Sequence, residues 1–200
     1  MAGIGAGATR AVLALATWGS LSVVVMPADA SAAQPPRSPA AVAALAAAAD
    51  TQDAAALRDD AVSLRRDVDR MMTGYVDTYR RRFTSAQVAE LTGLRRDADR
   101  RLATVVDAAG RLSSSITRER TSAQVEAARR SALGAWSRAR DAADTSYARA
   151  RAIMEPRLSL LEKISALGDY TAMMGRFDAL GEEIRTVGTA RTTARTETSR

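Results

Sequence analysis

The stretch LRDDAVSLRRDVDRMMTGYVDTYRRRF, residues 57–83, decides the fold. Its apolar residues Leu57, Ala61, Leu64, Val68, Met71, Tyr75, Tyr79 and Phe83 recur at intervals of three and four. Such spacing draws one narrow apolar stripe along a helix, whereas a strand with one buried face would alternate. Acids and arginines fill the positions between.

The same pattern continues in both directions. A second set runs Val88, Leu91, Ala98, Leu102, Val105, Ala109, Leu112 and Ile116. A third is poorer in large residues: Val125, Ala128, Ala132, Trp136, Ala139, Ala143, Tyr147, Ala150 and Ile153. A fourth runs Leu160, Ile164, Leu167, Met174, Phe177, Leu180, Ile184 and Val187. One proline, Pro156, interrupts residues 40–187. The expected fold is all-α: an elongated antiparallel helical bundle, or coiled-coil-like hairpins, of about four long helices.

Helix boundaries follow from caps. Thr84-Ser85-Ala86-Gln87 fits a capping box, and Thr121-Ser122-Ala123-Gln124 repeats it. Pro156 suits the first turn of a fourth helix. Leu64–Arg70 (LRRDVDR) is echoed by Leu94–Arg100 (LRRDADR), thirty residues on, and Thr84–Val88 by Thr121–Val125, thirty-seven on. The unequal offsets exclude a single fixed repeat. Gly168, Gly175 and Gly181 each weaken the fourth helix by ~1 kcal/mol relative to Ala, unless a partner helix needs the space.

The ends read differently. Arg10 is followed by an apolar run, residues 11–26, then Pro27 and the small residues 28–33. A basic residue, a short apolar segment and an A-x-A site together make a secretory signal peptide, with cleavage expected after Ala30 or Ala32. Sixteen apolar-run residues fall short of the ~20 that span a bilayer, so an N-terminal membrane anchor is the alternative rather than the main reading. The expected organisation is a signal peptide at 1–32, a Pro-rich spacer at 33–40, a helical bundle domain at 41–187 and a disordered Thr/Arg-rich tail at 188–200. The location expected is secreted, periplasmic or cell-envelope.

Composition excludes several chemistries. The chain has 29 basic and 23 acidic residues among its 200, a net charge of +6, with no histidine and no cysteine. Disulfides, thiolate nucleophiles, zinc fingers and imidazole proton shuttles are therefore out. At 4% aromatic residues, neither a base-stacking platform nor a deep aromatic cofactor pocket is expected. The acidic pairs Asp59-Asp60 and Glu182-Glu183 point their members about 100° apart on a helix, so neither pair alone shares a proton or metal. Lys163, beside Glu162, reads as a surface residue. Met71-Met72 and Met173-Met174 each place one member on the core stripe. No catalytic residue, cofactor, metal or specific nucleic-acid partner is expected.

Arginines remain. All but one of the basic residues are Arg, Lys163 being the exception. Within LRRDVDR, opposite signs at three- and four-residue spacing suggest a solvated, locally neutral helix face. Arg80, Arg81, Arg82, Arg191, Arg195 and Arg200 are less balanced and are the anion-binding candidates, for an anionic envelope polymer or a membrane surface. An Ala-rich core also suggests a homo-oligomer or a helical protein partner.

The boxes Phe83–Gln87 and Arg120–Gln124 resemble the L-T-x-x-Q motif of the Spy-type periplasmic chaperones, although neither carries the leading Leu. That resemblance implies an exported holdase with a basic rim around an apolar concave face. The main expectation is a non-catalytic exported binding or structural protein. The alternatives are such a holdase, or an exported helical enzyme that holds an anionic substrate through Arg at stripe positions.

Overall fold

The computed structural model describes residues 39–189, which fall within the second of two units, Arg37–Arg200. The signal-peptide and spacer expectations therefore lie outside the described residues, apart from Pro39 and Ala40. The described residues form an all-α bundle of four helices: α1 Pro39–Tyr79, α2 Ser85–Thr117, α3 Ser122–Met154 and α4 Leu160–Thr186. A 3-10 turn, Arg80–Arg82, joins α1 to α2, and another, Glu155–Arg157, joins α3 to α4. Each helix packs antiparallel on the next, and α4 returns to α1, which closes the bundle.

All three internal helix starts are capped in the same way. Thr84 accepts from the Gln87 amide while Gln87 accepts from the Thr84 amide, and Thr121 with Gln124 does the same. Ser159 with Glu162 forms a third box at the start of α4. Pro156 thus lies in the preceding 3-10 turn rather than in the first turn of α4. The fixed φ of proline suits either place, but Ser159 supplies the hydroxyl that a first helical turn requires. Thr84→Ala and Thr121→Ala are each expected to lose about 0.5–2 kcal/mol. Urea midpoints of both variants check this, and a loss at Thr84 alone would mean that α2 and α3 form one rod in solution.

The echo between LRRDVDR and LRRDADR has a structural meaning. Arg65 of the first copy grips Asp99 of the second through two bonds of 2.6 and 2.9 Å. Arg95 of the second copy pairs with Asp69 of the first at 3.4 Å. The second and sixth positions of each copy exchange partners, as a local two-fold between antiparallel helices demands. Within each copy the i,i+3 pairs Arg70–Asp67 and Arg100–Asp97 also form. The local pairing expected from the sequence is present, and the crossed pairing is added to it. The Arg65 hydrogen bond holds the Asp99 carboxyl below its ordinary pKa. These groups are part-exposed, so each pair contributes only ~0.2–1 kcal/mol and the gain is chiefly in register.

The core matches the first three stripes. Leu57, Ala61, Leu64, Leu102, Val105, Ala109, Leu112, Ala132 and Ala139 are buried in one cluster. A smaller cluster at the α1–α2 turn holds Phe83, Leu91, Ala150, Met154 and Leu158. Between them lies an apolar cavity of about 60 Å³ that Met71, Met72 and Met173 help to line. The methionines therefore serve the core.

The fourth stripe needs correction. Met174, Phe177, Leu180, Ile184 and Val187 are buried, but Leu160, Ile164 and Leu167 are exposed. At 100° per residue, the core line through Ile184, Phe177 and Tyr170 continues back to Ala166 and not to Leu167. Ala166 and Leu158 occupy the interior at that level, and the first two turns of α4 present their large side chains outward. The glycines divide too: Gly181 lies against Trp136, while nothing stands near Gly168 or Gly175.

Candidate anion-binding groove

α1 and α2 run antiparallel so that Arg58 lies opposite Gly110. With no side chain at Gly110, the Arg58 stem lies across α2; a Cβ there would meet Arg58 Cδ at 3.6 Å. Arg111 is the next residue of α2, and the helix ends less than two turns later at Thr117. Its ending is a Schellman turn. Arg120 N–H donates to the Ser115 carbonyl at 3.1 Å and Glu119 N–H to the Ile116 carbonyl at 3.2 Å. The turn needs a left-handed residue, and Glu119 takes that place at φ 53°, where Gly is usual. This geometry fixes Arg118 and Arg120 on either side of Glu119. Thr121 then opens α3, whose Gln124 and Ala128 close the far wall.

The result is an open groove of about 750 Å³ lined by Arg58, Arg111, Arg118 and Arg120, with Ser114 and Gln124 as neutral polar groups. Asp107 is its one carboxylate. All four arginines are exposed, and none forms an ion pair. Elsewhere among the described residues twelve arginines are ion-paired, for instance Arg140 with Asp178 at 2.8 Å and Arg149 with Glu90 at 2.5 Å. A concave wall focuses the field of uncancelled charges, and guanidinium forks match phosphate, sulfate and carboxylate.

The residues singled out from the sequence are distributed differently. Arg80, Arg81 and Arg82 form an exposed 3-10 turn at the opposite end of α2. Arg82 is not free: it donates to both Glu162 carboxylate oxygens at 3.0 Å and to the Arg157 carbonyl, with its guanidinium 5.1 Å over the Tyr79 ring. The Ser159 backbone amide, and then Arg82, hold the Glu162 carboxyl down at about 2. Arg80 and Arg81 have no ion pair. Arg191, Arg195 and Arg200 lie outside the described residues. Arg95 forms the crossed pair with Asp69 and donates to Thr73 Oγ1 at 2.8 Å.

The acidic pairs meet only across helices. Burial, followed by Asp60 and Asp53, raises the Glu183 pKa. Among the described residues no group of three or more His, Cys, Asp or Glu is placed to hold a metal, and no helix is long and apolar enough to cross a membrane.

Sequence reasoning missed the groove because its arginines come from three segments. A signal was present nonetheless: Arg58, Arg118 and Arg120 have no acid three or four positions away on either side. Compared with known protein families, characterised proteins and solved structures, the chain matches none. The Thr–Gln boxes that resemble the Spy motif are accounted for as helix caps.

Proposed function

We propose that this chain is an exported, non-catalytic binding protein of the cell envelope whose α1–α2–α3 groove holds an anionic polymer. One observation carries the reading: Arg58, Arg111, Arg118 and Arg120 line one open groove in which Asp107 is the one carboxylate, and none of the four forms an ion pair. The N-terminal pattern of Arg10, an apolar run and A-x-A supports export. An open groove suits a chain passing through it better than a small substrate that must be closed off from water.

Binding of polyphosphate or purified teichoic acid to the full chain tests this. Reversal of Arg58, Arg118 and Arg120 to Glu is expected to weaken binding at least tenfold. The same change of charge at Arg66, Arg96 and Arg138, exposed on helix faces, should cost much less. Binding should also fall between low and physiological salt, because exposed charges are screened beyond ~8 Å. Equal losses from both triple variants would show that net charge alone acts, and the groove would not be the site.

A further inference from the structure

A second surface stands at the other end of the bundle. Among the described residues five large hydrophobic side chains are exposed, and four of them lie in the first two to three turns of α4: Leu160 at 73%, Leu161 at 79%, Ile164 at 59% and Leu167 at 52%. Scattered exposed leucines need no explanation, but a group confined to one place marks a contact surface. Polar contacts join this part of α4 to the arginine turn. Arg82 bonds Glu162, the residue after Leu161, and Arg157 donates to the Arg82 carbonyl at 3.0 Å. Arg80 and Arg81, without ion pairs, are thereby held at the same end as the leucines.

We infer that this leucine–arginine tip docks on the surface of an anionic phospholipid bilayer. Protruding aliphatic side chains beside uncancelled guanidinium groups are what an interface of acyl chains and phosphates accepts. The leucines enter the acyl boundary while Arg80 and Arg81 remain at headgroup level, their stems lying along apolar surface. The charge decides against a second copy as occupant, because pairing two tips would bring four like charges together. An anionic bilayer complements the same arginines. The tip lies at the opposite end from the groove, so this inference does not rest on the polymer reading.

The absence of cysteine provides a site-specific test. Leu161→Cys in the full chain, labelled with an environment-sensitive dye, is mixed with vesicles of equal parts phosphatidylglycerol and phosphatidylcholine. Ser137→Cys, exposed midway along α3, is the control. A blue shift at position 161 but not at 137 is expected. Adding Arg80→Glu and Arg81→Glu should weaken it by roughly fivefold or more per arginine, following the attraction of one basic residue to an anionic surface. Attachment through another segment would leave position 161 unshifted on vesicle-bound protein and overturn the proposal. So would an equal shift on pure phosphatidylcholine, a shift at both positions, or a concentration-dependent shift without vesicles, the last indicating self-association.

Discussion

Gly181→Leu should release α4 from α3 and cost more than 3 kcal/mol, the upper range of ordinary core overpacking. A Cβ at Gly181 would stand 2.5 Å from Trp136 Cζ2 and 2.6 Å from Cε2, inside any real contact distance. The indole is poorly placed to give way. Its Nε1 donates to the Phe177 carbonyl at 2.7 Å, and the Arg185 guanidinium lies 5.1 Å over the ring. A shift of the ring would break that bond and leave a half-buried N–H without a partner, adding ~1–3 kcal/mol. The contrast with the other glycines of α4 makes the argument sharp. Gly168→Ala and Gly175→Ala meet nothing within 4 Å, so each should stabilise by up to ~1 kcal/mol through helix propensity. Gly181→Ala should destabilise despite the same propensity gain. Urea denaturation followed by circular dichroism and tryptophan fluorescence reads all four variants, and a stabilising Gly181→Ala would refute the close approach.

Much of this fold is legible because a helical stripe is a local property. Leu102, Val105, Ala109, Leu112 and Ile116 follow from spacing alone, and all are buried. Leu160, Ile164 and Leu167 have equally good spacing and face outward. Periodicity says that a face is apolar, but which face meets the bundle depends on the other three helices. In α4 both faces are apolar near the start, and the smaller Ala166 takes the interior. The glycines show the same limit, since only the docking of Trp136 distinguishes Gly181 from Gly168.

Charge is legible only where it is settled within one helix. Arg82 has no acid three or four positions away, yet it pairs with Glu162 eighty residues on. Arg111 has Asp107 one turn before it, yet the two form no ion pair and both line the groove. The crossed pairs Arg65–Asp99 and Arg95–Asp69 needed only the antiparallel alignment of two segments already seen to echo each other. The groove needed three segments and a left-handed Glu119 that no propensity suggests.

The last expected result concerns Arg129, the one buried arginine among the described residues. Arg129, on α3, is 7% exposed, pairs with Glu126 one turn before it, and donates to the Val187 carbonyl at 2.7 Å. Its Nε has no partner. Val187 is the C-cap of α4, and Gly188 then turns the chain at φ 74° against Ile116. A cation here answers both an orphan carbonyl and the negative end of the α4 dipole. Removing the wrong partner should hurt more. Glu126→Ala leaves a buried guanidinium with one backbone acceptor, which for a fully buried pair costs ~3–5 kcal/mol. Glu126 is about half exposed and water reaches it, so a loss near ~2–3 kcal/mol is expected. Arg129→Met keeps the packed stem, removes the charge and its unpaired Nε, and leaves only the Val187 carbonyl without its donor, at ~1–2 kcal/mol. The double variant should then be close to Arg129→Met alone, because Glu126 has no buried charge left to compensate. Additive losses in a urea double-mutant cycle would show that the pair is not coupled, and that α4 is anchored at this end by Ile184 and Gly188 instead.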